Sequence, residues 1–551
     1  MMRPEARFIA ACMLAGVIAC TGCTKVTTGT GAAPHAAAAG PIPGVLRYAE
    51  VSEPDSLSTL LSTQIVTADL SYLMFSYFFN FDEHDNFVPE IAMQVPTLAN
   101  GGASADGKTI TYHMRPGVKW QDGVPLTAKD IVFTYQQIMN PKNNVQVQTG
   151  YDHIAYVEAK DDYTVVVHMR KVFAPIVAFF MCVQGGFSIL PAHLLQGNPD
   201  LNHVAWNNAP IGSGPFKFKE WVHGDHITLV ANPLYWRGPP RLQQIVFRVL
   251  PDTNTIVTQL QTHEIDGWFR ADPAKYQQLR ALQGYQIYVS AENVFGHLDF
   301  NTKDPILSDV RVRQAIESAI DRQRIVDDAT GGVFALSDTD QSVFSWANDH
   351  HAPYFPYNPS KAAALLTEAG WIPGPDGIRV KDGRRLSLQL SYVGGQSIGE
   401  KLAGLMQQQA RAVGIEIMQK NFPAPLFFAA AQSGGILNSG KYQIAYFGWV
   451  SGVDPDNSSL YGCDQFPPKG QNDLFWCDPA LQQAENDALG TMDERRRITD
   501  YHVISRELGE QAPTMFLFAE RRVDVVPAQF HNFKPSPAES AFWNTWQWDM
   551  Q

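Results

Sequence analysis

The most constraining feature of this sequence is the stretch 106–139, which reads without interruption as a strand, two turns and a helix. Ile110, Tyr112 and Met114 alternate with polar neighbours, which is the period of a half-buried strand. One face of this strand must therefore pack on a core while the other meets solvent.

Turns and a helix follow this strand directly. Pro116 with Gly117, and Asp122 with Gly123, are residue pairs that favour tight turns. Thr127 is followed three residues later by Asp130, which predicts a capping box at the start of a helix. The stretch therefore indicates a mixed α/β fold.

The length and charge of the chain limit the classes of protein it can be. Its 551 residues exceed the size of one hydrophobic core, so two or more lobes are expected. The hydrophobic content of 45% is ordinary for a soluble globular protein. The net charge of −13 argues against a nucleic-acid partner.

The N-terminus has the layout of a secretory signal. Arg3 and Arg7 precede the apolar run 8–19. Residues 17–20 resemble a bacterial lipobox, which would make Cys20 the lipidated residue, with Cys23 as the alternative. A plain signal peptide with incidental cysteines stays open as a third interpretation.

These assignments predict a lipoprotein signal peptide at 1–20 and a flexible tether at 21–44. The tether consists mainly of Thr, Gly, Ala and Pro and carries almost no charge. We therefore expect the folded body to begin near Val45 and to lie in the cell envelope, on the periplasmic or extracellular face, anchored to the membrane through the N-terminal lipid.

Regular elements continue through the second half of the chain. The stretch 312–320 has the apolar spacing of an amphipathic helix, with Ser308 nearby as a candidate cap, and Asn358 before Pro359 opens another helix. Trp546 and Trp548 alternate as residues on one strand face do. No fixed-period repeat is present, so an α/β or α+β lobed fold is indicated.

Five segments follow one another in the order of a known family. They are 106–139, 210–216 with its following strand pair, 252–266, 300–316, and 448–457. Together they resemble the extracellular solute-binding proteins, family 5, of ABC transporters for peptides, nickel and oligosaccharides. The resemblance covers nearly all of the chain after residue 45.

The resemblance implies an α/β, two-lobed, periplasmic-binding-protein-like fold of type II, in its large three-domain variant. By motif position, lobe I is 45–84, 210–298 and 519–551, the insertion domain is 85–209, and lobe II is 299–518. The chain would cross between the lobes near Phe300 and Asn301, and again near Phe518 and Ala519. These two crossings would form a hinge.

The resemblance also bears on the cysteines. Several dipeptide-binding relatives carry a disulfide just after the segment that resembles 454–457, which implies a bridge between Cys463 and Cys477. Such a bridge would contribute on the order of 3 kcal/mol to stability. Cys182, inside an apolar run, is predicted to be a buried free thiol.

A search for catalytic chemistry finds little. His223 and His226 flank a turn, where surface histidines are far commoner than a metal site, and His350 with His351 lies in a polar loop. Neither a nucleophile elbow nor a phosphate-binding loop is present in the sequence. We therefore expect no enzyme activity, metal or cofactor, and a secreted hydrolase remains only as an alternative.

Candidate ligand-binding residues come from the matching positions of the family. They are Trp449, Asp454, Tyr446, Phe447, Trp268, Asn301, Tyr48 and Glu53. Aromatic walls with a few polar groups are what a solute cleft requires. Trp449 could instead serve only in core packing, and Asp454 could instead cap its loop, so these alternatives to ligand binding stay open.

The sequence departs from the dipeptide-binding relatives where they hold the two charged ends of their ligand. After Trp449 no acid occurs until Asp454, and 391–399 contains no arginine, the nearest base being Lys401. An unpaired charged terminus is costly to bury. A longer peptide held by its backbone, or a different solute, is therefore at least as well supported as a dipeptide.

The implied function is the substrate-binding component of an ABC importer. The protein would capture a peptide or similar solute between its lobes and deliver it to a membrane permease driven by an ATPase. We expect it to be a monomer. A peptide-sensing receptor or an envelope chaperone with the same fold is the alternative.

Overall fold

The structure is a computed structural model that describes residues 40–145, 148, 150–538 and 541–550. The predicted signal peptide at 1–20, both candidate lipidation sites, Cys20 and Cys23, and the predicted tether up to residue 39 lie outside the described residues. None of the helices in the described part has the length and hydropathy of a membrane span.

The described residues form 21 strands. In chain order they are β1 Val45–Glu50, β2 Phe79–Phe81, β3 Phe87–Pro89, β4 Thr109–His113, β5 Ile154–Asp161, β6 Thr164–Met169, β7 Phe216–Val222, β8 His226–Ala231, β9 Gln244–Val249, β10 Gly267–Ala271, β11 Tyr285–Phe300, β12 Ala335–Leu336, β13 Ile372–Pro373, β14 Arg379–Lys381, β15 Arg384–Arg385, β16 Ser387–Val393, β17 Glu416–Phe422, β18 Ile444–Val450, β19 Thr514–Pro527, β20 Phe530–His531 and β21 Asp549–Met550.

Fourteen α-helices occur in the same residues. They are α1 Ile65–Met74, α2 Ala128–Ile138, α3 Ile176–Phe179, α4 Ala192–Leu195, α5 Thr253–Gln261, α6 Tyr276–Arg280, α7 Val310–Ala319, α8 Arg322–Thr330, α9 Pro359–Glu368, α10 Ser397–Ala412, α11 Ala424–Phe427, α12 Ser458–Tyr461, α13 Pro479–Leu489 and α14 Glu494–Gln511.

One large sheet runs through the molecule. Its strand order is β17-β16-β18-β11-β19-β10-β1-β9-β8-β7, and β12 adds to β19 as an eleventh strand. The first half of the sheet, β7 to β10 with β1, and the second half, β16 to β18, are joined by the long antiparallel pair β11 and β19. A separate three-stranded sheet, β4-β6-β5, lies within the segment predicted as the insertion domain.

The pairing of β11 with β19 is interrupted near its middle. Ala291 pairs with Arg521 and Phe295 pairs with Ala519, so three residues of β11, 292–294, face the single residue Glu520. Such bulges bend a strand pair and often occur next to functional sites. The predicted second crossing, near Phe518 and Ala519, lies beside this bulge, whereas Phe300 and Asn301 lie at the far end of β11.

Two large hydrophobic cores lie on the sheet. The first joins β1, β8 and β9 with the segment 57–206 and the C-terminal aromatics Phe533, Phe542 and Trp548. The second contains Trp268 and Ile256 together with α7, α9, α10 and β16, so it continues from one half of the sheet to the other. Burial of this much apolar surface is the main stabilising contribution to the fold.

The stretch 106–139 folds as its sequence predicts. Ile110 and Tyr112 of β4 are buried, and Gly117 and Gly123 take the positive φ angles of 82° and 95° that their turns require. At the start of α2, the Thr127 side chain accepts a hydrogen bond from the backbone N–H of Asp130, and the Thr127 N–H donates to Asp130 Oδ2 at 2.8 Å. The predicted strand, turns and capping box are confirmed.

Predictions for two later elements need correction. The N-cap of α7 is Asp309, which accepts from the Arg311 N–H at 3.0 Å, and not Ser308, because a carboxylate one residue later reaches the free N–H groups of the first turn. Trp546 lies in the 3₁₀ turn Thr545–Gln547, and Trp548 follows it without forming a strand. The Trp548 indole is buried and donates to Asn544 Oδ1 at 2.9 Å, and this contact favours the turn.

The other helix and cysteine predictions agree with the structure. Asn358 caps α9 by accepting from the Lys361 N–H, as its sequence indicates. Cys182 is a buried free thiol, as predicted. Cys463 and Cys477 form a disulfide that links the loop after α12 to the start of α13.

Candidate functional site

Strand ends from both halves of the main sheet meet beside the bulge in β11. Ala271, the last residue of β10, pairs with Val523, which in turn pairs with Val289 of β11. From the other side, the last residue of β18, Val450, pairs with Val294. Because ligands of open parallel sheets bind beyond the carboxyl ends of the strands, the space between these ends, hereafter the cleft, is the candidate site.

Charged side chains are concentrated on the side of the cleft formed by the first half of the sheet. We call this set the hinge charge cluster: Glu50, Asp69, Arg270, Glu292, Glu520, Arg522 and Asp524. Arg270 forms an ion pair with Glu292, and Arg522 forms one with Asp524 at 2.9 Å. Two guanidinium groups thus stand against five carboxyl groups.

Burial and the nearby like charges raise the pKa values of two carboxyl groups in this cluster. Burial raises the pKa of Glu50 to about 8, and the neighbouring Asp69 carboxyl contributes in the same direction. Burial also raises the pKa of Glu520 to about 7, with repulsion from Glu292 adding to the shift. Arg270 lowers both pKa values but does not cancel these effects.

Glu520 faces the cleft next to Gly448. A Cβ atom built on Gly448 would lie 3.3 Å from Glu520 Oε1, so the absence of a side chain at 448 leaves this carboxylate accessible. Glu520 is partly exposed even though protein surrounds it on most sides. Among the described residues it forms neither an ion pair nor a hydrogen bond to another side chain. It is therefore a carboxyl group that a bound molecule can reach.

The end of β18 offers backbone groups as well. Ser451 N–H donates to Asn293 O at 2.7 Å, so the antiparallel alternation directs the N–H and C=O groups of Gly448 and Val450 away from β11. On that outer side the pairing with β16 ends at Tyr446. Gly448 is exposed and the Val450 side chain is 43% exposed. This short strand edge can accept the backbone of another extended chain.

An aromatic wall stands beside this edge. Phe447 lies within 6.0 Å of the Phe428 ring and 6.3 Å of the Phe427 ring, measured between centroids. Phe428 follows α11 and leaves about half of its surface exposed. Apolar rings next to free backbone groups are typical of sites that bind small molecules and peptides.

Farther from the bulge, a cavity of about 510 Å³ separates the segment 87–178 from the second half of the molecule. Its walls are mostly apolar, and they include Phe87, Val177, Trp346, Val453 and Met492. The cavity size and lining are in the range of small-molecule sites.

Direct contacts close the space around this cavity. The Asp454 N–H donates to Gln184 Oε1 at 3.0 Å, and the Ala174 N–H donates to Leu489 O at 3.0 Å. Asn293 Nδ2 donates to Asp85 Oδ2 at 2.9 Å next to the bulge. The two sides of the cleft therefore touch in this conformation.

Two candidate ligand residues on the first half of the sheet, Tyr48 and Trp268, lie in the hydrophobic cores. Tyr48 packs its ring between Phe247 and Phe269, with centroids 5.5 Å and 5.0 Å away. Trp268 is buried in the second core. Both belong to strands that end at the cleft, but their side chains are enclosed by protein.

Two further candidates hold loops in place. Glu53 Oε1 accepts hydrogen bonds from Trp221 Nε1 and from the Gly224 N–H, at 2.8 Å and 3.0 Å. Asn301 Nδ2 donates to Gly440 O and Tyr442 O at 3.1 Å and 2.9 Å. These bonds occupy the polar groups that would otherwise be offered to a solute.

Asp454 is occupied by an arginine. Arg497 donates to both carboxylate oxygens of Asp454 at 2.7 Å, and the two side chains are buried. Arg497 also lies 5.1 Å from the centroid of the Trp346 ring. A bidentate pair of this kind is strong and geometrically specific, so the Asp454 charge is already compensated.

The remaining three candidates lie on β18, where Tyr446 is buried in the second core and Phe447 in a small separate core. Phe447 belongs to the aromatic wall, and Trp449 packs on a small third core with part of its surface exposed. Tyr446 lies close enough to Glu520 for the carboxylate to raise the pKa of its hydroxyl, after the larger effect of burial. These residues surround the strand edge described above.

Sequence reasoning missed Arg270, Glu292 and Glu520. A signal for them exists, since each is a charged residue inside an apolar strand pattern, and charged residues in such positions are seldom buried unless they are paired. Their grouping depends on strands separated by more than 200 residues. In the described part of the chain, no group of three or more His, Cys, Asp or Glu side chains is arranged to hold a metal ion.

Comparison with known proteins identifies the family. The family of bacterial extracellular solute-binding proteins, family 5 (Middle), matches residues 94–469, well over half of the chain. The oligopeptide-binding protein AppA of Bacillus subtilis (strain 168) is 29% identical over 505 residues, which cover 91% of this chain and 90% of that protein.

Solved structures agree with this assignment. The structure of AppA from Bacillus subtilis in complex with a nonapeptide has a TM-score of 0.75 at 26% identity, covering 93% of this chain and 100% of that chain. The ABC transporter substrate binding protein CtaP from Listeria monocytogenes shares the fold, with a TM-score of 0.80 at 24% identity and coverage of 93% and 100%. The chain therefore belongs to the bacterial extracellular solute-binding proteins of family 5, and it is the substrate-binding component of an ABC importer.

Proposed function

We propose that the solute is a peptide, held in an extended conformation in the cleft along the free edge of β18. The observation that carries this proposal is the strand edge at Gly448 and Val450, whose backbone groups point away from β11 beyond the end of β16. An extended peptide satisfies such an edge with its own backbone, whatever its sequence.

The aromatic wall and the outer cavity support the same solute. Phe428 and Phe447 offer apolar surface next to the strand edge, and the cavity of about 510 Å³ gives room for further side chains. The relatives point in the same direction, since AppA is described as an oligopeptide-binding protein and its structure holds a nonapeptide.

A strict dipeptide reader is disfavoured by the charges around β18. Asp454, the first acid after Trp449, is already paired with Arg497 and is buried. Strand β16 is followed by no arginine before residue 400, so the sequence offers no matching cation there. We infer that affinity comes mainly from the peptide backbone and side chains, with the C-terminal carboxylate contributing little.

Capture would proceed by closure around the bulge. The pair β11 and β19 joins the two halves, and its pairing is interrupted at 292–294. The contacts Gln184 to Asp454 and Ala174 to Leu489 form only when the two sides meet. A peptide that binds both sides favours this closed form, which the permease then recognises.

The remaining assignments belong to the same proposal. The protein catalyses nothing, acts as a monomer with a permease and an ATPase as partners, and lies on the periplasmic or extracellular face of the cell envelope, anchored by a lipid on Cys20 or Cys23. Lobe I comprises 45–84, 210–298 and 519–551, the insertion domain 85–209, and lobe II 299–518. The separate sheet β4-β6-β5 inside 85–209 supports the insertion domain.

Binding of a defined peptide pool tests the proposal. The purified protein, freed of retained solute by dialysis in mild denaturant, is mixed with pools of two to nine residues, and complexes are detected by native mass spectrometry. We expect peptides of four residues or more to bind and their backbone N-methylated analogues to fail, because methylation removes the N–H donors that pair with a strand edge. Binding of a nickel chelate or a sugar, with no peptide bound, would overturn the proposal.

A variant at the strand edge sharpens this test. Gly448→Val adds a branched side chain at the exposed end of β18. The Cβ atom of this side chain would lie 3.3 Å from Glu520 Oε1. We expect peptide affinity to fall by about 10-fold or more, equivalent to about 1.4 kcal/mol. Gly404→Ala is the control, because Gly404 is exposed on α10 and a Cβ there would meet nothing within 4 Å. Equal affinity of the two variants would argue against the strand edge.

A further inference from the structure

Glu520 lies at the bulge in the strand pair that joins the two halves of the sheet. The three residues 292–294 of β11 lie opposite this one residue of β19, and the carboxylate faces the cleft next to the side-chain-free Gly448. Tyr446, at the end of the pairing between β16 and β18, is its neighbour on the other side of the cleft. A solute paired with the edge of β18 would lie one strand spacing beyond Gly448, so a group that it extends over Gly448 would meet this carboxylate.

The arginines nearby are committed to other carboxylates. Arg522 pairs with Asp524, and both side chains are completely buried. Arg270 pairs with Glu292, while its backbone N–H donates to Asp524 Oδ1 at 3.1 Å. The next residue, Arg521, is exposed, and successive side chains of a strand point to opposite faces. Among the described residues, Glu520 is thus left without a protein cation of its own.

A second carboxyl group in the cluster has free acceptor capacity. Glu50, the last residue of β1, is 8% exposed, and its Oε1 has no hydrogen-bond partner among the described residues. Arg270 acts electrostatically on both Glu50 and Glu520, which places the two carboxyl groups around the same guanidinium. A buried acceptor without a donor is costly, and a bound cation would offset that cost.

We propose that Glu520, with Glu292 and Glu50 behind it, receives a cationic group of the solute, so that the cleft selects peptides carrying a free N-terminal ammonium or a basic side chain near the bulge. This inference rests on the proposed function, since it assigns the solute class of the same cleft. It assigns the recognition of a ligand cation, which the sequence suggested for Asp454, to a carboxylate on a different strand.

The charges around Glu520 also determine how such binding depends on pH. The ionisable groups that act on it or are acted on by it are Glu292 from β11, Arg270 from β10 and Tyr446 from β18. A cation binds the ionised carboxylate, and burial raises the pKa of Glu520 to about 7 in the free protein. Affinity for cationic peptides should therefore rise as the pH increases from about 5.5 to about 7.5. Above about pH 8 it should stay high for a lysine side chain and fall for an N-terminal ammonium, which loses its proton there.

Four peptide pools of equal length separate the two sources of positive charge. They carry a free N-terminus without basic residues, a free N-terminus with one lysine, an acetylated N-terminus with one lysine, and an acetylated N-terminus without basic residues. Affinities of the wild-type protein, Glu520→Gln and the exposed control Glu510→Gln are measured by competition native mass spectrometry at pH 7.5, and those of the wild type also at pH 5.5. Thermal unfolding verifies that each variant is folded.

We expect the wild type and Glu510→Gln to prefer a cationic pool over the neutral acetylated pool by about 10-fold or more, as a charge-assisted contact requires. Glu520→Gln should bind the cationic pools and the neutral acetylated pool with similar affinity. The preference of the wild type for cationic pools should be smaller at pH 5.5 than at pH 7.5. Whether the ammonium or the lysine carries the preference identifies the source.

Several results would overturn the inference while leaving the proposed function intact. A wild type that binds neutral and cationic pools equally is one, and a preference that survives in Glu520→Gln is another. Failure of every pool to bind the folded wild type would instead reject the peptide itself as the solute, and the inference would be rejected with it.

Discussion

At the scale of single residues, two carboxylates near the cleft differ in whether a protein cation compensates their charge. Asp454 follows the Gly448-Trp449 pair in sequence, yet Arg497 of α14 holds both of its oxygens at 2.7 Å. Glu520 lies on another strand and has no such partner among the described residues. The two acids therefore differ in environment, since Asp454 is buried and paired whereas Glu520 is partly exposed next to Gly448.

Replacing Asp454 should reduce stability rather than peptide binding. Asp454→Asn leaves the buried Arg497 guanidinium without a counter-charge, and breaking a buried pair in this way costs about 3–5 kcal/mol. The control is Asp328→Asn, which removes an exposed pair with Arg324 on α8 and should cost about 0.5 kcal/mol or less. Urea unfolding measures both. A loss of peptide affinity in the Asp454→Asn variant at unchanged stability would contradict this assignment.

At the scale of elements, the structure depends on how closely β11 and β19 approach each other near the bulge. Gly296 pairs with Phe518, and a Cβ built on Gly296 would lie only 2.3 Å from the Phe518 ring. Phe518 is buried in the second core, so displacing its ring would disturb the packing there. A glycine is needed here because of packing, since the position is not among those with positive φ.

The same substitution should have opposite effects at two glycines. Gly296→Ala forces Phe518 out of its position and should destabilise the protein by about 1–3 kcal/mol. Gly404→Ala on α10 fills open space in a helix and should stabilise it by about 0.5–1 kcal/mol. Thermal unfolding of the two variants side by side checks the prediction. Equal shifts would show that the Gly296 backbone can relax away from the ring.

At the scale of the whole molecule, several buried carboxyl groups favour the protonated form. Burial raises the pKa of Glu485 to about 9, of Glu317 to about 8 and of Asp473 to about 8. Both oxygens of Glu485 lack hydrogen-bond partners among the described residues. Because the folded state holds these protons more tightly than the unfolded state, their stabilising contribution is lost as the pH rises through the folded pKa values.

Stability should therefore fall as the pH rises from the unfolded-state pKa values of about 4 to the folded-state values of about 8 to 9. Between about pH 5 and about pH 9 the unfolded chain has released these protons while the folded protein still holds most of them, and we expect Tm to decrease by about 5 °C or more across this range. Glu485→Gln keeps the buried group neutral at every pH and should flatten the profile, whereas the exposed Glu510→Gln should not. A Tm that rises steadily across this pH range would refute the prediction.

Local elements were the most predictable part of the fold. The capping box of Thr127 and Asp130, the alternation of Ile110 and Tyr112, and the cap at Asn358 each depend on residues within a few positions of one another. Trp546 and Trp548 show the limit of this reasoning. Their alternation matches a strand, but the buried indole of Trp548 and its bond to Asn544 favour a turn.

By itself, the sequence determined the local strands, turns and capped helices, and the order of motifs that places the chain in its family. Only the tertiary structure decided which residues meet at the cleft. Arg497 reaches Asp454 across 43 positions, and Gln184 reaches it across 270. Charge compensation and strand edges depend on distances in space, and those are set by how β11 and β19 bring separate parts of the chain together.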